Sequence, residues 1–308
     1  MDRRTLHALE FHKVLAVLAE QCVSEAGRSA CLALEPLPSL DDIHREQALY
    51  EQSLVWSAQR EGDEFSLVDF PDCSGLFTYL EKPSAALDAD ALFALRMVLG
   101  LARRAEASIR AGETKWPELF ELAHAQPLPE LLTSALNRCI GDDGLLRDGA
   151  SPELLLIRNE LRGLHQACLR KVREFALTYN IAHYLQDDFM TLASDRYVLP
   201  LKANFKGRIQ GIIHDYSNTG ETCYFEPMFL VAHNNRIQEL KNEEREEERK
   251  VFLMLSDMVR AELPLVHAAW DFIVRLDVLS AKARLSGLYN GVTVTVAPAE
   301  GPSASPLA

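Results

Sequence analysis

Apolar positions recur three and four residues apart over most of this 308-residue chain, the spacing of helices that bury one face. In the first 150 residues the runs are short. Leu6, Leu9, Val14, Leu15 and Leu18 predict a helix over Thr5 to Gln21, and Ser24 can cap a second that ends before the turn-forming EPLPS. Ser39, with Asp42 three residues on, predicts a capped helix reaching about Arg60. The stretch EGDEFSLVDFPDCSG is rich in turn formers and reads as irregular. Asp88 can cap ADALFALRMVLGLARRAEASIR, and further helices are predicted over Pro117 to Ala125 and Pro129 to Cys139.

Asp143-Gly144 and Asp148-Gly149 then interrupt the chain with two turn signals. Ser151 is a good N-cap, and Pro152 occupies the first helical position, where its missing N–H costs nothing. Leu154, Ile157, Leu161, Leu164, Cys168, Val172 and Phe175 follow mostly alternating three- and four-residue steps, a coiled-coil seam predicting helix to about Leu185. A second long run begins at Met228 with a thinner stripe, Leu230, Ile237, Leu240, Val251, Leu255 and Met258. It has no apolar residue from Lys241 to Lys250, which reads either as a solvated rod laced by Glu/Arg pairs three or four apart or as an acidic face for a partner. Pro264 predicts the end or a kink of that helix. Beyond it, DFIVRLDVLSAKARLSGLY is expected to pack back into the helical body, and VTVTVAPAEGPSASPLA to begin as a strand and finish as a linker. Two rods of roughly 35 residues, each about 50 Å long, separated by an element of about 40 residues, fold most simply as an antiparallel pair with that element at its tip.

The intervening element changes period. In DRYVLPLKANFKGRIQGIIHDYSNTGETCYFEP, residues 195–227, three β-prone runs are separated by Phe205-Lys206-Gly207 and by Ser217-Asn218-Thr219-Gly220, predicting a small antiparallel sheet that needs helix to cover one face.

Composition narrows the chemistry. No window approaches 18 uninterrupted apolar residues and the start lacks a secretory signal, so a soluble, cytoplasmic protein without membrane contact is expected. The six cysteines are scattered without a CxxC pair and read as reduced structural thiols. A net charge of −13 leaves any nucleic-acid contact to a local patch. Arg196, Lys202, Lys206 and Arg208 form the candidate, although lysines on strand edges also serve to block aggregation. His214, Asp215, Glu221 and Glu226 have no recognised ligand spacing and are read as turn and sheet residues, so neither a catalytic, a metal nor a cofactor site is assigned. Asn234-Asn235 can satisfy backbone groups where sheet and helix join.

Three passages resemble the MutS superfamily, in particular its type-two bacterial branch. They are LEFHKVLAVLAEQCVSEAGR, DDGLLRDGASPELLLIRNELR, and the 195–227 passage followed by NNRIQELKNEEREEE; the resemblance covers nearly all of residues 5 to 290. It implies a mainly α fold in which a helical core domain carries a long antiparallel helical lever pair with a small antiparallel β clamp insertion at its tip. Residues 1–150 would be the first part of the core, 151–186 the outgoing lever, 187–227 the clamp, 228–263 the returning lever, 264–290 the return to the core and 291–308 a linker. Carried onto this sequence, the resemblance makes Arg196, Lys202, Lys206 and Arg208 the clamp positions that would meet phosphate. No GxxxxGK[ST] motif is present, so the superfamily's ATPase domain, with its ATP and Mg, is expected outside this chain, which reads as an N-terminal fragment.

The implied function is a non-catalytic lever and clamp that binds branched or junction DNA without reading sequence, in a homodimeric parent that uses ATP to restrain homologous recombination and possesses, in some members, a nuclease domain. Two alternatives stay open. One is a ribosome-binding region of a ribosome-rescue paralogue; the other is a helical protein-interaction scaffold with no nucleic-acid contact.

Overall fold

The computed structural model describes residues 3–58, 65–80, 82, 85–178, 190–205 and 209–295. Among them the chain is mainly helical, with one small antiparallel sheet. It divides into two compact units: Met1–Leu145 with Leu253–Ala308, and Leu146–Phe252.

The first unit contains α1 (Arg3–Ala8), α2 (Phe11–Ala19), α3 (Glu25–Leu32), α4 (Leu40–Ala58), α5 (Ser74–Leu80), α6 (Ala89–Arg110), α7 (Pro117–His124) and α8 (Glu130–Cys139). The predicted caps form. Ser24 Oγ accepts from Gly27 N at 2.9 Å, Ser39 Oγ from Asp42 N at 3.1 Å, and Asp88 Oδ1 from Ala91 N at 2.9 Å. The chain re-enters this unit near the end of α10 (Met228–Ala261) and completes it with α11 (Leu263–Tyr289), whose second residue is Pro264. Proline therefore opens a new helix at a position where no donor is needed. Trp270, Phe272, Ile273, Leu276, Val278 and Leu279 of α11 are all buried and point to several sides, so this helix is the spine of the unit and packs against α2, α3, α4 and α6.

Three expectations are corrected here. The helix predicted over Thr5 to Gln21 is two helices, because Glu10 adopts a left-handed conformation, φ 53°, and turns the stripe; Leu9 and Val14 are left exposed. A helix forms at Ser74–Leu80, starting within the last two residues of the stretch read as irregular; it is too short to display a period but buries Phe77 and Leu80. Val292 to Thr295 form no strand: Val292 and Val294 are exposed and no neighbouring edge pairs with them, although Gln47 Nε2 donates to Val294 O.

The second unit holds α9 (Pro152–Thr178), β1 (Thr191–Ala193), β2 (Arg196–Lys202), β3 (Gly211–Tyr216), β4 (Thr222–Pro227) and most of α10. Helix α9 opens under the predicted cap, Ser151 Oγ accepting from Leu154 N at 3.0 Å; its predicted last turns, to Leu185, lie outside the described residues. Contacts run in opposite directions along α9 and α10, from Ser151 with Glu247 to Glu160 with Arg236, so the two helices are antiparallel. The strand order is β1-β2-β4-β3, every pairing antiparallel. Leu199, Leu201, Cys223 and Phe225 of the sheet join Leu161, Cys168, Val172 and Ala176 of α9 and Leu230, Ile237 and Leu240 of α10 in one buried cluster. Tyr197 N donates to Asn234 Oδ1 and Asp195 O accepts from Gln238 Nε2, so the sheet lies alongside the first turns of α10.

Local chemistry explains the sheet. Ser217 to Gly220 make the predicted turn, with Gly220 at φ 74° and its N–H donating to Ser217 O at 2.8 Å. Pro200 lies within β2 beyond the reach of β1, where one edge is open, a setting in which a sheet admits proline. Strand β1 was not foreseen. Its two-residue connection to β2 places Ser194 at φ 48° and Asp195 at φ 62°, the backbone of a type I′ hairpin without the glycine that normally marks it.

Candidate nucleic-acid interface

At the centre of the second unit Glu226 has no accessible surface and is fully engaged. Arg196 donates through Nε to Oε2 at 2.9 Å and through Nη2 to Oε1 at 2.8 Å; Asn234 Nδ2 donates to Oε1 at 2.7 Å; His214 Nε2 lies 2.5 Å from Oε2. A β-bulge brings the histidine there. Ile213 pairs with Phe225 and Asp215 with Tyr224, so His214 is the extra residue, and the local kink aims its ring at the carboxylate. Burial alone would push the Glu226 carboxyl up; the hydrogen bonds from Arg196, Asn234 and His214 outweigh it and hold the group below the usual glutamate range. Asn234 also grips β2 from both sides, accepting from Tyr197 N at 3.0 Å and donating to Tyr197 O at 2.9 Å. The sequence reading of Asn234 as a group that satisfies backbone where sheet meets helix is borne out. With its oxygens occupied, Glu226 ties β2, β3, β4 and α10 together and offers no base to a substrate.

Arg196 accordingly has a different setting from the open cation expected. Its Nε and Nη2 point inward, Nη2 also donating to Asn235 Oδ1 at 2.7 Å, because a carboxylate buried without a countercharge would be costly. Lys202 is exposed at the end of β2, where it lines a shallow recess with Asn204 and Glu221. Lys206 and Arg208 lie outside the described residues.

A second charged node joins the two helices. Arg158 donates to Glu244 and Glu248, each at 2.7 Å, to Asp148 at 2.9 Å and to Leu146 O at 2.8 Å. The block from Lys241 to Lys250 is thus more than a solvated rod. Pairs three residues apart do form, as in Arg249 with Glu246, but Glu244, Glu247 and Glu248 face α9 along the line from Leu240 to Val251 and meet Arg158 and Ser151 there. Periodicity of apolar residues could not reveal this, since the positions are polar on both helices.

Charge is unevenly divided. Residues 146–252 contain fifteen Lys and Arg against sixteen Asp and Glu, a net charge near −1, so almost all of the chain's −13 belongs to the other unit. Outward on α9, Arg170, Lys171 and Arg173 are exposed, a cluster that the sequence reading passed over because it lies inside a helical seam.

No protein-family model matches the chain. Individual relatives do. Over 297 residues it is 48% identical to the Endonuclease MutS2 of Maridesulfovibrio salexigens, an alignment that covers 96% of this chain and 38% of the relative. The Endonuclease MutS2 proteins of Solidesulfovibrio magneticus and Agathobacter rectalis are 44% and 31% identical over 96% and 95% of it, and 38% and 37% of those relatives are matched. The chain belongs to the MutS2 family. It spans well under half the length of the MutS2 relatives it matches.

The passages that carried the MutS2 resemblance coincide with buried polar nodes. LEFHKVLAVLAEQCVSEAGR includes Ser24 and Gly27, which meet Asp277 of α11; the second passage includes Asp148 and Arg158; the third includes Arg196, His214 and Glu226. Among the described residues no group of three or more His, Cys, Asp or Glu could hold a metal ion, and no helix is long and apolar enough to cross a membrane. All six cysteines are buried and unbridged.

Proposed function

We propose that residues 146–252 are the DNA-binding part of this MutS2-family chain, a non-catalytic lever and clamp that grips nucleic-acid backbone without reading bases. The charge partition carries the reading. In a chain of −13, one unit is almost neutral and places cations on its surface, which is where a polyanion can approach. Lys202 and, in the same passage, Lys206 and Arg208 are the contacting candidates, while Arg196 supports Lys202 by holding β2 against Glu226. Family membership extends the proposal to the whole protein: a homodimer acting on branched or recombining DNA to restrain recombination, with ATP and Mg used by an ATPase domain outside this chain.

Fluorescence anisotropy with a labelled four-way junction tests it. Weak binding is expected, falling log-linearly as salt rises. Binding insensitive to salt and to neutralising Lys202, Lys206 and Arg208 would sink the clamp. Co-sedimentation with ribosomes in the absence of junction binding would move the target to the ribosome.

A further inference from the structure

The cations of the second unit are mostly spent on acids of the same unit. Arg158, Arg162, Arg196, Arg236, Lys241, Arg249 and Lys250 each make an ion pair there. Arg170, Lys171 and Arg173 do not: all three are exposed, and among the described residues none forms a hydrogen bond or ion pair. They stand together on the last turns of α9.

Helical geometry sets how they are displayed. The buried positions Leu161, Cys168, Val172 and Ala176 define the inner face of α9. On the opposite side Arg162, Gln166, Arg170 and Arg173 follow steps of four, four and three, and all are exposed. Residues so spaced are neighbours, with β-carbons about 5–6 Å apart, and the row from Arg162 to Arg173 is about 16 Å long. Lys171 points elsewhere, about 100° around the helix from Arg170, near enough to His233 of α10 for its charge to help hold that imidazole below its usual range, after burial, the larger cause. The only acid of the last two turns is Glu174, one position past Arg173, and it is unpaired. The buried face of α9 is covered by its own sheet and α10, and what the helix presents outward is this row of donors and positive charge, with Leu169 and Leu177 exposed among it.

We infer that the outward ridge of α9, Gln166, Arg170 and Arg173 with the Asp148-paired Arg162 at its start, is a second backbone-contact row for nucleic acid, additional to Lys202, Lys206 and Arg208. The inference rests on the proposed function and extends it from the sheet to the helix. A strand's phosphates advance about 3.4 Å per nucleotide along a duplex, so a 16 Å row spans roughly five of them, and arginine matches phosphate with paired N–H donors. Bases play no part: nothing on the ridge is placed in a groove-reading geometry, so the row discriminates polyanion from neutral surface, not sequence.

The test compares R170Q/R173Q with K202Q/K206Q/R208Q, glutamine being chosen to preserve helix in α9. Circular dichroism confirms folding. Each is titrated against a fluorescein-labelled junction and a labelled duplex from low to moderate salt, with polyglutamate as a competing polyanion. The α9 variant is expected to bind severalfold more weakly, and its plot of log affinity against log salt to be shallower by about two, the loss of two phosphate contacts at about 0.9 each. An unchanged affinity and slope in a chain that does bind would overturn the α9 row while leaving the sheet clamp standing. The converse, loss in the α9 variant with no change in the sheet variant, keeps the row and removes the clamp. Binding of polyglutamate without binding of either nucleic acid overturns both and assigns the ridge to an acidic protein.

Discussion

Gly27 lies so close to Asp277 that a β-carbon on it would fall 2.2 Å from Oδ2. The buried carboxylate accepts from Val23 N and Ser24 N, both at 3.0 Å, and from Ser24 Oγ at 2.7 Å, fastening the start of α3 to α11. Asp277 cannot retreat without abandoning those donors. Gly27→Ala is therefore expected to destabilise the first unit by about 1–3 kcal/mol, the cost of overpacking a closed site. Urea unfolding followed by tryptophan fluorescence measures it, since Trp56, Trp116 and Trp270 all lie in that unit. A midpoint equal to wild type would mean that α3 can shift freely against α11.

Glu226→Gln removes a charge and keeps the shape. The guanidinium of Arg196 is then left mostly buried beside a neutral amide, and breaking such a pair costs about 3–5 kcal/mol. Loss of amide protection is expected across β2, β4 and the first turns of α10, read by hydrogen exchange with mass spectrometry. If protection there matches wild type, the node is ornamental to stability.

The same carboxylate gives the second unit an acid limit. A group held below its ordinary range contributes stability in full above that range and loses it as pH falls through the lowered folded value. Glu226 is such a group, and so is Asp148, whose hydrogen bonds from Arg162 and Arg158 depress it. Amide protection in residues 191–227 is expected to fall below about pH 4, with a smaller acid dependence in Glu226→Gln. An acid profile identical in the variant and wild type would assign the transition to other carboxylates.

Ser194→Asn is expected to stabilise the β1–β2 hairpin by several tenths of a kcal/mol to about 1 kcal/mol, because asparagine tolerates the left-handed backbone that serine occupies at φ 48°. Exchange of the β1 amides is the readout. Faster exchange in the variant would show that the serine hydroxyl supports the turn.

How much of this could be read beforehand varies with the kind of signal. Caps and turns were legible because they depend on one residue's own chemistry: Ser24, Asp88, Ser151 and Gly220 act locally. The α9 seam was legible because it is apolar and periodic. Strand β1 was hidden by a turn that takes its backbone shape from Ser194 and Asp195, held by Gln238 and Lys241 of α10, more than forty residues on. Arg196 was read as a phosphate-contact candidate for a related reason. Its orientation is set by Glu226, Asn234 and Asn235, and no local pattern tells a cation facing water from one facing a buried acid. The same blindness hid Arg170, Lys171 and Arg173, whose openness depends on which other cations found partners.

Arg158 touches Glu244 and Glu248, one turn apart on α10, and Asp148 in the turn just before its own helix. Sliding α10 past α9 by a single heptad would carry both glutamates away from the guanidinium and set the half-buried cation against other side chains. Apolar seams alone permit such slippage, since leucine exchanges readily for leucine; a charge that must find its acids does not. The pair is therefore keyed. A pull along α10 would load Arg158 and its acids before the two helices could creep past each other.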